Sequence, residues 1–196
     1  MSTQSLTKSW VDALAPRTIF QTMDVPGPRR AVETALSRLA SDPASSISRI
    51  RQGFYWRKPP VTRFGTGRPD PMTLAMSVAG SGAGPSGRSA ANDLGLTTQV
   101  PAVPTVAVVG RAPKGLSGVH FVARSNVDRV VLTPIEVSVL EVLRTYPDYV
   151  EKPWLDVQKR VRSLIASGKV DPATLAKVAR SERSSDLQNR LNSVIN

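Results

Sequence analysis

The triplet Pro26-Gly27-Pro28 constrains this chain more than any other feature, because no helix or strand runs through it. Whatever precedes it must meet whatever follows it at a tight turn. Upstream, a first helix is expected over residues 5–14, with Leu6, Val11 and Leu14 facing inward. Ala15-Pro16 ends it, since a residue before proline is pushed out of the α region. Thr18 can then cap a second helix carrying Ile19, Phe20 and Met23. Downstream, Val32, Leu36 and Leu39 recur at helical spacing with Ala35 beside them, which predicts a helix over residues 29–39. Its other face carries Arg29, Arg30, Glu33, Thr34, Ser37 and Arg38. Asp42-Pro43 marks a turn, and Ile47-Ser48-Arg49-Ile50-Arg51 then alternates with the period of a half-buried strand. Gln52-Gly53 turns the chain into a second strand, Phe54-Tyr55-Trp56-Arg57. A plain amphipathic helix explains the apolar stripe of residues 29–39 as well. It does not explain helix, turn, helix and ribbon arriving in that order, which is the order of a helix-turn-helix with a wing.

Charge follows the same segment. Residues 1–68 hold eleven Lys/Arg against four Asp/Glu, whereas residues 69–132 hold five against three and residues 133–196 ten against eight. Clustered positive charge suits a polyphosphate, because each neutralised phosphate releases condensed counterions. Arg29, Arg30, Thr34, Ser37 and Arg38 are therefore candidates for the major groove, where arginine pairs with guanine and hydroxyls reach phosphates or base edges. Arg49, Arg51, Arg57 and Lys58, without acidic neighbours in sequence, are candidates for the backbone or a minor groove. Phe54, Tyr55 and Trp56 are alternatively a platform for single-stranded bases, although their alternation puts at least one of them in a core.

The expected class is α+β, with a winged helix-turn-helix over residues 1–60, a Pro/Gly-rich connector over 61–70, and an α+β region over 71–196 that ends in helices. Residues 71–79 read as a short helix with Pro71 in its first turn. Residues 105–110, 119–123 and 129–132 read as strands of a small sheet. From Thr133 onward four amphipathic helices follow, opened in turn at Thr133-Pro134, Trp154, Asp171-Pro172 and Ser184 or Ser185. Residues 82–89, GAGPSGRS, nearly spell a phosphate-binding P-loop. Arg88 stands where the lysine belongs, and what precedes the loop reads as a helix instead of a strand. The simpler reading is a helix start at Ser86 or Gly87, with Gly95 as its stop.

Two stretches resemble a known family. The run ISRIRQGFYWRKP, residues 47–59, looks like the wing of the AbiEi-type antitoxins of type IV toxin–antitoxin pairs. PSGRSAANDLGLTTQVPA, residues 85–102, is similar to the central signature of one branch of that family and is the more specific of the two. With the helices between and after them, the resemblance covers most of the chain. It implies a winged-helix region that binds double-stranded DNA at its own operator, an inverted repeat, and represses its operon. It also implies a following region that neutralises a nucleotidyltransferase-like toxin.

Other classes find less footing in the residues. The chain has no cysteine and a single histidine, His120, so zinc-thiolate and His-rich metal sites are excluded. No paired carboxylates or nucleophile–base pair stand out, so neither an enzyme nor a cofactor is expected. Without a membrane span or a signal-peptide h-region, the expectation is a soluble cytoplasmic protein. The alternatives to an autoregulating antitoxin are an antitoxin that binds its toxin without reading DNA, and a stand-alone winged-helix regulator.

Overall fold

In the computed structural model, which describes residues 2–63 and 65–195, the chain is α+β and divides between residues 70 and 71 into two units with separate cores. Phe64, in the expected connector, lies outside the described residues.

The first unit contains α1 (Thr3–Ala13), β1 (Ile19–Gln21), a single 3-10 turn (Thr22–Asp24), α2 (Arg29–Ser41), β2 (Ile47–Arg51) and β3 (Phe54–Arg57). The three strands form an antiparallel sheet in the order β1-β3-β2. Of the stripe read from its spacing, helix α2 buries Val32, Ala35 and Leu36, and Leu39 packs half-buried against the same core. Val32 and Leu36 pack in one core with Val11, Phe20, Val25, Ile47 and Tyr55. Phe20 stacks on Tyr55 with ring centroids 5.7 Å apart and meets Trp10 edge-on at 5.4 Å. Fully burying a side chain such as Phe20 is worth about 1.5–3 kcal/mol, and Trp10 is only half-buried. Helix, strand, turn, helix and two-stranded ribbon around one core make this a winged helix.

Residues 18–23 differ from the expected second helix. Thr18 donates its hydroxyl to Ala15 O at 2.7 Å in a turn where Arg17 adopts φ +70°, so it closes a turn instead of capping a helix. Ile19-Phe20-Gln21 then pairs with Trp56-Tyr55-Phe54 as an edge strand. The strand sends Phe20 inward, and tertiary pairing overrides the local helix signal. The Asp24 carboxylate accepts from Gln21 N at 2.7 Å, so what is left of the helix is one 3-10 turn. Met23 is 77% exposed and Leu6 is 49% exposed, so neither faces the core, and Thr7 takes a buried place on α1.

The second unit contains α3 (Pro71–Ala79), β4 (Gly84–Pro85), α4 (Gly87–Asp93), β5 (Thr105–Val109), β6 (His120–Arg124), a 3-10 helix (Val127–Val131), α5 (Pro134–Thr145), α6 (Trp154–Ala166), α7 (Pro172–Arg180) and α8 (Ser185–Ile195). Its sheet runs β4-β5-β6, with β5 and β6 parallel and β4 antiparallel to β5. The main core joins Ala90 of α4 and Leu94, which follows it, to Val137, Leu140, Val161, Leu175, Leu187 and Leu191 of the four last helices. Helix α5 starts as expected, with Thr133 and Glu136 forming a reciprocal capping box and Pro134 following the cap.

Residues 129–132 are not the expected strand. Asn126 caps a 3-10 helix there by accepting from Asp128 N at 3.0 Å, and Arg129 is fully buried. The Arg129 guanidinium donates to Glu141 Oε1 at 2.7 Å and to Glu182 Oε1 at 2.5 Å. Arg124 also pairs with Glu141, Arg144 pairs with Glu182, and the Ser86 hydroxyl donates to Glu141 Oε2 at 2.6 Å. The glycines of the P-loop lookalike belong to this packing. A Cβ on Gly82 would stand 2.3 Å from Arg129 O, and one on Gly84 would stand 2.6 Å from Val137 Cβ. They let the chain lie directly against its neighbours, and Ser86 is committed to Glu141.

Burial would raise the Glu141 pKa, but the Arg124 hydrogen bonds and the nearby Arg129 charge outweigh it and hold the carboxyl below its ordinary value of 4.5. Removing the acid leaves three guanidinium groups, Arg124, Arg129 and Arg144, to share the single carboxylate of Glu182, so Glu141→Gln should cost about 3–5 kcal/mol in urea-induced unfolding. Because the folded-state pKa is lowered, the stabilisation from Glu141 is in place above about pH 4.5 and is lost as pH falls through the lower folded value. The wild-type transition should therefore weaken with acid below that point, and that part of the pH dependence should vanish in Glu141→Gln.

Candidate nucleic-acid interface

The solvent side of α2 carries the residues that its stripe leaves over. Arg29, Arg30, Glu33, Thr34, Ser37 and Arg38 are all exposed, because burying Val32, Ala35 and Leu36 turns them away from the sheet. Opposite them stands the ribbon of β2 and β3, joined by Gln52-Gly53 with Gly53 at φ +78°, a left-handed turn that suits glycine. The helix face and the ribbon enclose a cleft of about 690 Å³. All five residues of α2 expected to meet DNA line it, and Arg49 lines it from the ribbon. Arg29 Nε donates to Glu33 Oε1 at 3.1 Å across one helical turn. Such an exposed pair is weak and screened by salt, which leaves the guanidinium open to exchange partners. The Thr34 hydroxyl donates to Arg30 O at 2.9 Å, which leaves its oxygen free to accept.

Tyr55 forms part of the cleft wall while its ring belongs to the core. Burial pushes its hydroxyl above the ordinary value of 10.0, against the pull of the Arg49 charge and with a further push from Glu33. A tyrosine hydroxyl is protonated at neutral pH at its ordinary value, and the shift keeps it so. Phe54 is half-buried and Trp56 is buried, so the three aromatics do not form an open stacking platform.

The other basic residues of the ribbon separate into two groups. Arg51 flanks the tip, where a register shift between Arg49 and Arg51 breaks the alternation, and its guanidinium lies 5.3 Å above the Phe54 ring. Arg57 and Lys58 do not share the tip with it. Arg57 pairs in register with Ile47 at the far end of the ribbon. Its side chain donates to Ser46 O at 3.2 Å and is only 18% exposed. It also has an acidic neighbour after all, Asp12, at 3.9 Å. Lys58 Nζ donates to Pro43 O at 3.3 Å. Residue type alone gave no sign of this, because which end of a strand borders the cleft is a tertiary property. Conversely, Gln21, Met23 and Gln52 line the cleft although the sequence did not single them out for it.

Among the described residues, no helix is long and apolar enough to cross a membrane, and no group of three or more His, Asp or Glu is placed to hold a metal ion. The class defined is thus a winged helix followed by a separate α+β unit. No protein-family model matches the chain, and a search of curated protein sequences returns no match. Among solved structures it is similar in fold to the RV2827C protein from Mycobacterium tuberculosis. The TM-score is 0.50 at 15% identity, over 97% of this chain and 75% of that one.

Arg57 is thus a fastener of β3 to the turn before β2. Arg57→Ala should lower the unfolding free energy of the first unit by about 1–2 kcal/mol through its lost hydrogen bond and packing. Arg49→Ala, which removes an exposed side chain, should leave the same chemical-denaturation curve within about 0.5 kcal/mol.

Proposed function

We propose that this protein is a sequence-reading double-stranded DNA-binding regulator of its own operon, and the antitoxin of a nucleotidyltransferase-like toxin. One observation carries the first half: Arg29, Arg30, Thr34, Ser37, Arg38 and Arg49 converge on a single cleft between a helix and a wing. Helix α2, at 13 residues, is about 20 Å long, and the major groove is about 12 Å wide, enough to admit it. Arg30 and Arg38 are the base-reading candidates and Thr34 and Ser37 the shorter contacts, with Arg49 and Arg51 gripping the backbone or an adjacent minor groove. One winged helix covers a small footprint, so two copies on an inverted repeat follow naturally. This function needs no catalytic group, metal or cofactor.

The antitoxin half is supported by the resemblance of residues 85–102, which in the fold comprise Pro85 of β4, helix α4 and the loop that leads toward β5. Co-expression with the neighbouring gene's product should yield a complex that survives purification. Capture of that product by a chain with no operator preference would favour a purely protein-binding antitoxin.

On a duplex from upstream of the gene, Arg30→Ala should cost about 1–3 kcal/mol of affinity and narrow the gap to a scrambled duplex. Arg49→Ala should weaken both duplexes alike and reduce the salt dependence. Fluorescence anisotropy reads both effects. Equal losses from the two variants on the two duplexes would contradict the division of roles.

A further inference from the structure

Met23 is an apolar side chain held out in solvent at the edge of a cationic cleft. It is 77% exposed and lines the cleft together with Arg29, Arg30 and Thr34. Its exposure does not come from a loose loop. Before it, Thr22 is buried and its N–H donates to Gly53 O at 3.0 Å, which ties the turn to the tip of the wing. After it, the Asp24 carboxylate accepts from Gln21 N at 2.7 Å, and Val25 enters the core. The backbone is thus pinned on both sides while the side chain between the pins touches water. Folding of this unit gains little from a methionine in that position. A thioether on an unbranched stem is polarisable and adapts to irregular apolar surfaces. On the edges of base pairs in the major groove, the apolar group on offer is the 5-methyl of thymine.

We propose that Met23 is a specificity-determining residue that packs against a thymine methyl in the major groove, beside the bases reached from α2. The inference rests on the DNA-binding reading above and adds a base preference that the arginines do not supply. It also gives the pinned turn a use: the backbone that delivers the side chain need not be ordered on binding.

The test replaces the thymines of the upstream duplex one at a time with deoxyuridine, which keeps the base pairing and removes the methyl. Binding of the full chain is read by anisotropy. Wild type should lose about four-fold in affinity at one or two positions, the worth of one buried methyl. Met23→Ala should bind the unmodified duplex correspondingly more weakly and be indifferent to deoxyuridine at those positions. Met23→Leu should retain the preference. Thermal unfolding of Met23→Ala should match wild type, which separates a lost contact from a lost fold. An unchanged thymine-over-deoxyuridine ratio in Met23→Ala would overturn the inference while leaving the operator reading intact. Absence of any operator preference in the wild type would overturn both.

Discussion

The stack of Phe20 on Tyr55 is the contact on which the candidate interface depends. It joins the edge strand β1 to the central strand β3, and it shares one core with Val32 and Leu36 of α2. Because that face of α2 is committed inward, the arginines and hydroxyls of the opposite face must point out. With β3 held between β1 and β2, the ribbon borders one cleft together with that face. A few apolar side chains thus decide where the polar groups stand. Loosening the stack would cost the relative placement of helix and wing before it cost either element.

The two units use arginine in opposite ways. In the second unit, Arg124, Arg129 and Arg144 are bound to Glu141 and Glu182 in and around a core, where an unmatched charge would be severely unfavourable. In the first unit, Arg30, Arg38 and Arg49 stand in solvent around one cleft. Unpaired exposed charges add little to folding, but they raise the local attraction for a polyanion and lose it as salt rises. Arg30, Arg38 and Arg49 therefore leave the cleft itself positively charged.

Much of this was legible in the order of residues. The stripe of Val32, Ala35 and Leu36 and the Gln52-Gly53 turn are local signals, and both survive in the fold. Thr133-Pro134 and Asp171-Pro172 likewise mark true helix starts. The errors fall where tertiary partners decide. Ile19-Phe20-Gln21 is too short to show a period, and it becomes a strand because β3 offers it an edge. Val130-Val131 reads as strand locally, yet Arg129 must reach Glu141 and Glu182, which bends the segment into a 3-10 helix. Arg57 and Lys58 look like any wing cations in sequence, and only the register of β3 shows them at the end away from the tip. Met23 looks like a core residue until its strand and turn neighbours are in place.

The most direct test of a sequence-reading winged helix is the binding of the intact protein to its upstream DNA and to a scrambled duplex of the same composition, by fluorescence anisotropy at two salt concentrations. A groove-reading helix predicts tighter binding to the upstream duplex, with a ratio over the scrambled one that persists as both affinities fall with salt. Equal affinities that decline together would contradict it and reduce the cleft to a nonspecific polyanion grip.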